Sequence, residues 1–440
     1  MIKRIFKVVF AIVFVGLVLL LGYLFTGPLY NKWVVYPRMD EARQTIWDSY
    51  RKPFEVIPLA AYSGVTHAHS YWSHDSRGSL KEILDGAKQA ELDFIFFADH
   101  ARDKLDTFPR SFHGVFEGVL FEAGTETSGN YGGGMMLTPL REGILDLSVP
   151  EDSLIHRVVS QGGLVTYVHS EKDHDWDNPD YQAMEIYNIH TDLLDEEGGL
   201  MPFLLNHLVN GEKYRHWAYR ELYDKQTAIL ANWDRINQTR KVTGVGSVDA
   251  HNNQNIRARY LEDGQVEWVG NNAKTLSIRE PGLLEKILLH EPNENGWAFK
   301  WELDTYFHSF NFVNNHVFSS GFSSEKIKEG IEKGNALVAF EGLAKADGFQ
   351  YFALNTEKEL AGILGDSVSV QDVHQLKVLS PFPARFRLIR DGELLLETKE
   401  NSYEFEFSPE NQIGNYRIEA DLWLADHWVN WIFTNPISLY

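Results

Sequence analysis

Cysteine is missing altogether from these 440 residues. Its absence excludes disulfide scaffolds, cysteine-ligated zinc, iron–sulfur clusters and thiol nucleophiles. Any bound metal must therefore sit on His, Asp and Glu. There is no basic excess either: 62 acidic residues oppose 41 basic ones, and the formal charge is −21. The first 58 residues hold eight Lys/Arg and four Asp/Glu, so they carry +4 and the rest carries −25. Such a polyanion disfavours nucleic acid as a partner, but it can still hold a local cationic site built around metal ions. No internal repeat or low-complexity tract is evident. The composition, 44% hydrophobic and 13% aromatic, is that of a folded chain with ample core. At ~100–200 residues per domain, the length suggests two or three domains.

One long uncharged run is present. Lys3, Arg4 and Lys7 precede Val8–Phe25, eighteen residues without a charge. As a helix this run reaches ~27 Å, close to a ~30 Å hydrocarbon core. Basic residues ahead of it place the N-terminus inside and the remainder outside the cytoplasm, periplasmic or extracellular. A cleaved signal peptide is the other reading, but its apolar stretch usually spans ~7–15 residues. No small-x-small cleavage site follows in Gly22-Tyr23-Leu24-Phe25-Thr26-Gly27. Residues 1–26 are therefore expected to be an N-terminal transmembrane helix, and 27–59, with Pro28, Pro37, Pro53 and Pro58, a stalk or linker.

From residue 60 short apolar runs alternate with amphipathic segments. Ser79–Gln89 and Ser153–Gln161 read as helices; Phe94–Ala98, Val119–Ala123, Leu164–Val168, Met184–Tyr187 and Val242–Val245 read as strands. This alternation predicts an α/β domain with parallel strands over 60–342. Residues 190–241 read as a helical insertion over one end of the sheet. Ser323–Lys333 and Ala336–Phe340 supply a last helix and strand. Beyond 343 the pattern turns to alternating strands, with Asp391-Gly392 as a hairpin signal. Residues 343–440 are expected to form a small all-β, sandwich-like domain.

The chemistry-bearing residues fall at strand ends. Thr66-His67-Ala68-His69 carries a His-x-His, whose rings share one side of an extended segment. Asp75 follows in Ser73-His74-Asp75-Ser76-Arg77. The strand Phe94–Ala98 ends in Asp99-His100, and Glu126 lies in Gly124-Thr125-Glu126. Leu164–Val168 ends in His169. Gly246-Ser247-Val248-Asp249-Ala250-His251 supplies an Asp-x-His. In a parallel barrel the C-terminal ends of successive strands converge on one mouth. The ordered series is a His/Asp/Glu constellation suited to hard or borderline divalent ions.

Over residues 60–342 these motifs resemble the PHP (polymerase and histidinol phosphatase) domain. The resemblance rests on His67-Ala68-His69 with Asp75, Ala98-Asp99-His100, Thr125-Glu126 and Asp249-Ala250-His251, with Tyr167-Val168-His169 and Met184–Asn188 in support. It implies a distorted, seven-stranded, TIM-like β/α barrel. It also implies metal-dependent phosphoester hydrolysis by water activated on up to three ions. His67, His69, Glu126 and Asp249 would hold the first ion. Glu126 would bridge to a second with His169. Asp75, His100 and His251 would hold the third, and Asp99 would serve behind them as a hydrogen-bond partner. Relatives commonly place a histidine on the strand after the Glu126 motif. Here Asn130–Leu137 has none, only Met135 and Met136. About two tight ions are therefore expected, drawn from Zn, Mn or Fe, unless Asp173, His174 or His190 completes the second site.

Arg77 and Arg102 lie beside ligand positions and are candidates for binding substrate phosphate. His308, His316 and the many Trp residues read as packing. The function expected is a membrane-anchored metal-dependent phosphoesterase acting on a small-molecule ester. Two alternatives stand: a metal-dependent carboxylic ester or amide hydrolase, and a PHP-like protein that binds metal or ligand without turnover. Substrate identity, oligomeric state and the role of the C-terminal domain are not legible in the sequence.

Overall fold

The computed structural model describes residues 2–101, 111–138, 149–195 and 200–440. The apolar N-terminal run lies in helix α1 (Ile2–Tyr30), which continues through a short π-helical turn (Asn31–Val35) into α2 (Tyr36–Asp48). The helix is long and apolar enough to cross a membrane, with mean hydropathy 2.7 over its most apolar window. The stretch expected to be a stalk is helical as far as Asp48. Pro37 sits in the first turn of α2, where its missing N–H is harmless. Tyr36 is buried and its hydroxyl meets the Asn206 side chain; Trp47 Nε1 donates to Leu343 O at 2.8 Å. The Arg43 guanidinium lies over both Trp47 and Trp217 at 4.7 Å. These contacts fasten the segment to the body instead of leaving it free.

The body is built on β1 (Ala60–Ala68), β2 (Phe94–Phe97), β3 (Gly114–Phe116), β4 (Val119–Glu122), β5 (Thr125–Ser128), β6 (Gly134–Thr138), β7 (Leu164–Val168), β8 (Ala183–Asn188) and β9 (Thr243–Ala250). Six strands run parallel, in the order β4-β2-β1-β9-β8-β7. Antiparallel strands flank them, β3 beside β4 and then β6 and β5 beyond β7. Runs such as Phe94–Phe97 and Leu164–Val168 are buried throughout, as strands covered on both faces must be. Crossover helices cover them. Helix α3 (Leu80–Gln89) begins with a Ser79–Glu82 capping box, and α4 (Glu151–Ser160) begins with two acidic residues.

Between β8 and β9 lie α5 (Ile189–Asp195), α6 (Leu200–Asn210), α7 (Arg215–Arg220) and α8 (Thr227–Asn237). After β9 comes an antiparallel sheet in the order β12-β11-β10-β13, from β10 (Asn255–Tyr260), β11 (Val266–Val269), β12 (Thr275–Arg279) and β13 (Phe299–Glu302). It was not anticipated from the sequence, although Asp263-Gly264, with Gly264 at φ 81°, is a hairpin signal between alternating strands. Helices α9 (Leu283–Leu288) and α10 (Tyr306–Phe310) border it. The chain then returns through β14 (Asn314–Ser319), antiparallel to the first half of β1, then α11 (Ser324–Glu332) and β15 (Ala336–Ala339).

A second, all-β domain follows. Its strands are β16 (Gln350–Leu354), β17 (Leu360–Ile363), β18 (Ser367–Val368), β19 (Gln375–Arg390), β20 (Glu393–Glu397), β21 (Ser402–Phe407), β22 (Gly414–Leu424), β23 (His427–Thr434) and β24 (Ile437–Leu439). The long β19 serves two sheets: its first half pairs with β16 and β21, its second half with β20 and β22. Pro381 and Pro383 sit between the halves, where the ladder is interrupted. The β15–β23 ladder makes this domain continuous with the body. A buried two-pronged ion pair adds to it: Arg417 Nε and Nη2 each donate to the Asp234 carboxylate at 2.7 Å. Removing one partner would leave a buried charge uncompensated. Asp234→Ala is expected to lower unfolding stability by about 3 kcal/mol, read as a lower urea midpoint; an unchanged midpoint would mean that Glu419 alone holds Arg417.

Candidate metal centre

The six parallel strands all deliver their C-terminal ends to one place, and there the side chains converge. Register in β1 slips between Thr66 and Ala68 against both neighbours: His67, at φ 64°, is the extra residue against β2, whereas against β9 the extra residue lies in β9, between Ser247 and Ala250. The bulge re-aims the His67 ring. The His67 and His69 rings do share a site, with centroids 5.2 Å apart, but through this bulge and not through simple alternation. His169 (φ 55°) and Asp249 (φ 43°) also hold left-handed backbone. Such conformations are unfavourable for side chains of this kind and cluster where packing imposes them at working sites.

Three overlapping groups result, each with ligand atoms within 4.8 Å of one another: His67, His69, Glu126 and Asp249; His69, Asp75, His100 and His251; and His169, His190 and Asp249. His67 Nε2 lies 3.1 Å from Glu126 Oε2 and 3.1 Å from Asp249 Oδ1. His69 Nε2 lies 3.5 and 3.3 Å from the same two oxygens. His169 Nε2 is 3.3 Å from Glu126 Oε1, so Glu126 faces two groups. Asp75 Oδ2 is 3.1 Å from His251 Nε2 and 3.6 Å from His100 Nε2.

The hydrogen-bond network assigns the tautomers. Glu185, buried, accepts from His67 Nδ1 at 2.7 Å and from the His169 backbone N–H at 2.7 Å. Ser73 donates to Asp75 Oδ1 at 2.7 Å, leaving its oxygen to accept from His69 Nδ1 at 3.3 Å. Burial acts against a charge on His67, but Asp249, Glu126 and Glu185 raise it well above the usual histidine range, so without metal its Nε2 donates to Glu126 at 3.1 Å. His69, with its proton on Nδ1, turns an Nε2 lone pair toward Glu126 and Asp249. Lone pair against anion is repulsive unless a cation lies between them. In keeping with this, His69 Nε2, Asp249 Oδ1 and His190 Nδ1 are buried atoms without a directed hydrogen bond. The donor set, imidazole plus carboxylate with no sulfur, fits Zn, Mn or Fe.

Charge responds accordingly. Burial, with His251 nearby, depresses His69 to about 3, so it is neutral and ready to ligate. Burial also acts to lower His251 and His169, but carboxylates outweigh it. Asp249 and Asp75 lift His251 to about 9; Glu126 and Glu171 lift His169 to about 10. Burial opposes ionisation of Glu126 and Asp249, yet the surrounding histidines, His67 foremost, hold both well below the usual carboxylate range.

All eight residues expected as ligands lie in these groups. His190 joins them from the first turn of α5, its Nδ1 3.1 Å from Asp249 Oδ2. The second site therefore does not depend on the strand after Glu126. Met136 packs there with Ala98 and Val168, and Gly134 leaves room for Glu126, whose Oε1 a Cβ would meet at 2.9 Å. Glu185 was missed as a partner because a lone acid inside an apolar strand carries no motif. Asp99 accepts from Ser70 N at 2.6 Å and Ser111 Oγ at 3.0 Å, steadying the turn after His69. Arg77 is not turned to the cluster. Its guanidinium donates to Ala273 O at 3.1 Å and lines a separate depression with His74. Arg102 lies outside the described residues.

A cavity of about 270 Å³ opens beside the cluster, lined by Asp75, His190, Asp249 and His251 on one side and by Phe203, Leu222 and other apolar side chains from the helical insertion. No Lys or Arg lines it among the described residues.

No family model matches the chain, and no curated protein does. Solved structures give distant likenesses. One is a two-domain protein containing a predicted PHP-like metal-dependent phosphoesterase from Bacteroides vulgatus, 10% identical, covering 87% of this chain and 98% of that one at a TM-score of 0.38. Another is PsfC from Pseudomonas syringae, 16% identical, covering 50% of this chain and 90% of that one at a TM-score of 0.29. Likenesses this low carry no conclusion about fold or chemistry, so the side-chain geometry has to carry it.

Because His251 and His169 are protonated at neutral pH without metal, ligation must displace protons. Titrating Mn²⁺ into chelator-stripped protein at pH 7 in weak buffer should acidify the solution, and affinity should rise with pH. Metal uptake without proton release would contradict the assignment of these two rings.

Proposed function

We propose that the chain is a membrane-anchored, metal-dependent phosphoesterase of the PHP kind. One observation carries this reading: imidazoles and carboxylates converge in three overlapping groups, with ligand atoms within 4.8 Å of one another, at the ends of parallel strands. The distorted barrel belongs to the same proposal. Its support is the backbone bond from Glu126 N–H to Ala98 O at 3.2 Å, which brings β5 back to the end of β2.

Divalent ions bound there would supply Lewis acidity toward phosphoryl oxygens and a water of lowered pKa. The chain's own part is positioning. His67, His69, Glu126 and Asp249 would hold one ion, and His169 and His190 a second, shared through Glu126 and Asp249. Asp75, His100 and His251 would hold a third. Glu185 and Ser73 keep the His67 and His69 Nε2 atoms aimed inward. In the reaction a water oxygen bonds to phosphorus, the P–O bond to the alcohol breaks, and the alcohol leaves with a proton derived from that water. With no Lys or Arg lining the cavity among the described residues, bound cations would offset the phosphoryl charge. That same lack of fixed positive charge favours a second reading, hydrolysis of a carboxylic ester or amide. A phosphoester panel run beside an aryl ester panel separates the two. Failure of the metal-loaded protein on both would support a binding-only role.

Lys3, Arg4 and Lys7 ahead of the apolar run support an outward-facing body. Full-length protein is expected to stay with membranes after a high-salt wash; release with residues 1–25 missing by mass spectrometry would mean a cleaved signal.

Single substitutions His67→Ala, Glu126→Ala and Asp249→Ala should each lower metal-dependent hydrolysis by about 100-fold or more while circular dichroism stays unchanged. Full activity in the triple variant would refute the site.

Dialysed protein should retain about two ions per chain, with activity rising on added Mn²⁺ or Zn²⁺. Three ions surviving a chelating resin would mean that His190 closes the second shell tightly.

A further inference from the structure

The base of the spanning helix is not remote from the metal centre. Helix α6 packs against it: Asn210 Nδ2 donates to Pro28 O at 2.9 Å, and Lys32 Nζ to Val209 O at 3.1 Å. Between them runs an open groove lined by Tyr23, Leu24 and Pro28 of α1 and by Met201, Phe203 and Leu205 of α6. Phe203 and Leu222 line this groove and also the cavity beside Asp249 and His190. Among the described residues, these are the two side chains that border both spaces.

The groove lies at the level where the apolar run ends, at Phe25. Tyr23, Tyr30 and Trp33 are largely exposed there, as aromatic residues are at a membrane boundary. Met201 on α6 is 62% exposed, an apolar side chain offered to the same surface. The cavity beyond joins apolar walls, Ile189, Leu204 and Leu303, to the polar cluster. A groove open toward the bilayer, leading through an apolar wall to an ion-binding site, matches one kind of molecule: an amphiphile with hydrocarbon at one end and an anionic head at the other. A soluble anion has no comparable attraction, since the body is a polyanion and, among the described residues, no Lys or Arg lines the cavity.

We propose that the substrate is a membrane lipid phosphoester that enters sideways from the bilayer. Its acyl chains rest in the groove between α1 and α6, and its head passes Phe203 and Leu222 to reach Asp249 and His190. This rests on the phosphoesterase reading above. Water bonds to the lipid phosphorus, the P–O bond to the departing alcohol breaks, and that alcohol takes a proton from the water.

The test uses full-length, Mn²⁺-loaded protein in phosphatidylcholine vesicles containing phosphatidic acid or phosphatidylglycerol, with lipid conversion read by mass spectrometry. p-Nitrophenyl phosphate and bis(p-nitrophenyl) phosphate serve as soluble esters. Met201→Glu places a charge in the groove; Leu208→Glu, on the same helix and 60% exposed but outside the groove, controls for charge near the membrane. Lipid conversion is expected, reduced about tenfold by Met201→Glu and not by Leu208→Glu, with soluble-ester turnover unchanged in both. Soluble-ester turnover with no lipid conversion, or lipid conversion equally insensitive to both variants, would overturn the lipid inference and leave the phosphoesterase reading standing. No turnover of any ester by metal-loaded protein would overturn both.

Discussion

The crowding of carboxylates and imidazoles at one mouth governs this molecule. His67 and His69 turn Nε2 toward Glu126 and Asp249, and Glu185 and Ser73 hold them in that orientation. A folded chain keeps so many buried acids together only if positive charge joins them. Without metal, protons on His169 and His251 provide part of it; with metal, the ions provide it. The parallel sheet, the bulge at His67 and the left-handed backbone at His169 and Asp249 all bring these groups to one mouth.

Much of the grouping of candidate ligands was legible because these residues come in short motifs at the ends of apolar runs. His67-Ala68-His69 and Asp249-Ala250-His251 stand out against the buried strands that carry them. The rest needed three dimensions. Glu185 is a single acid in an otherwise apolar strand, and its role exists only because β8 lies beside the site. His190 was one of three candidates for the second site, with Asp173 and His174, and only the first turn of α5 singles it out by carrying it to Asp249. Arg77 looked well placed beside Asp75, yet the unforeseen four-stranded sheet offers it the Ala273 carbonyl. A local pattern announces which residues can ligate, but not which neighbours a crossover will supply.

The same holds for architecture. Alternating strands and helices announced the parallel sheet, and the Asp391-Gly392 hairpin announced the β-domain. The segment after the membrane run misled, because its prolines suggested an extended stalk. Pro37 instead starts a helix, and Tyr36, Arg43 and Trp47 anchor it to partners some 170 to 300 residues away. That anchoring matters beyond stability. Tyr36 ties this segment to Asn206 of α6, the helix that also lines the cavity.

The most direct measurement is anomalous X-ray diffraction at the manganese edge from crystals soaked in Mn²⁺. A peak about 2.0–2.3 Å from His67 Nε2, His69 Nε2 and Asp249 Oδ1 is the expected result. A map without a peak there, at full Mn²⁺ saturation of the crystal, would contradict a metal centre at this site.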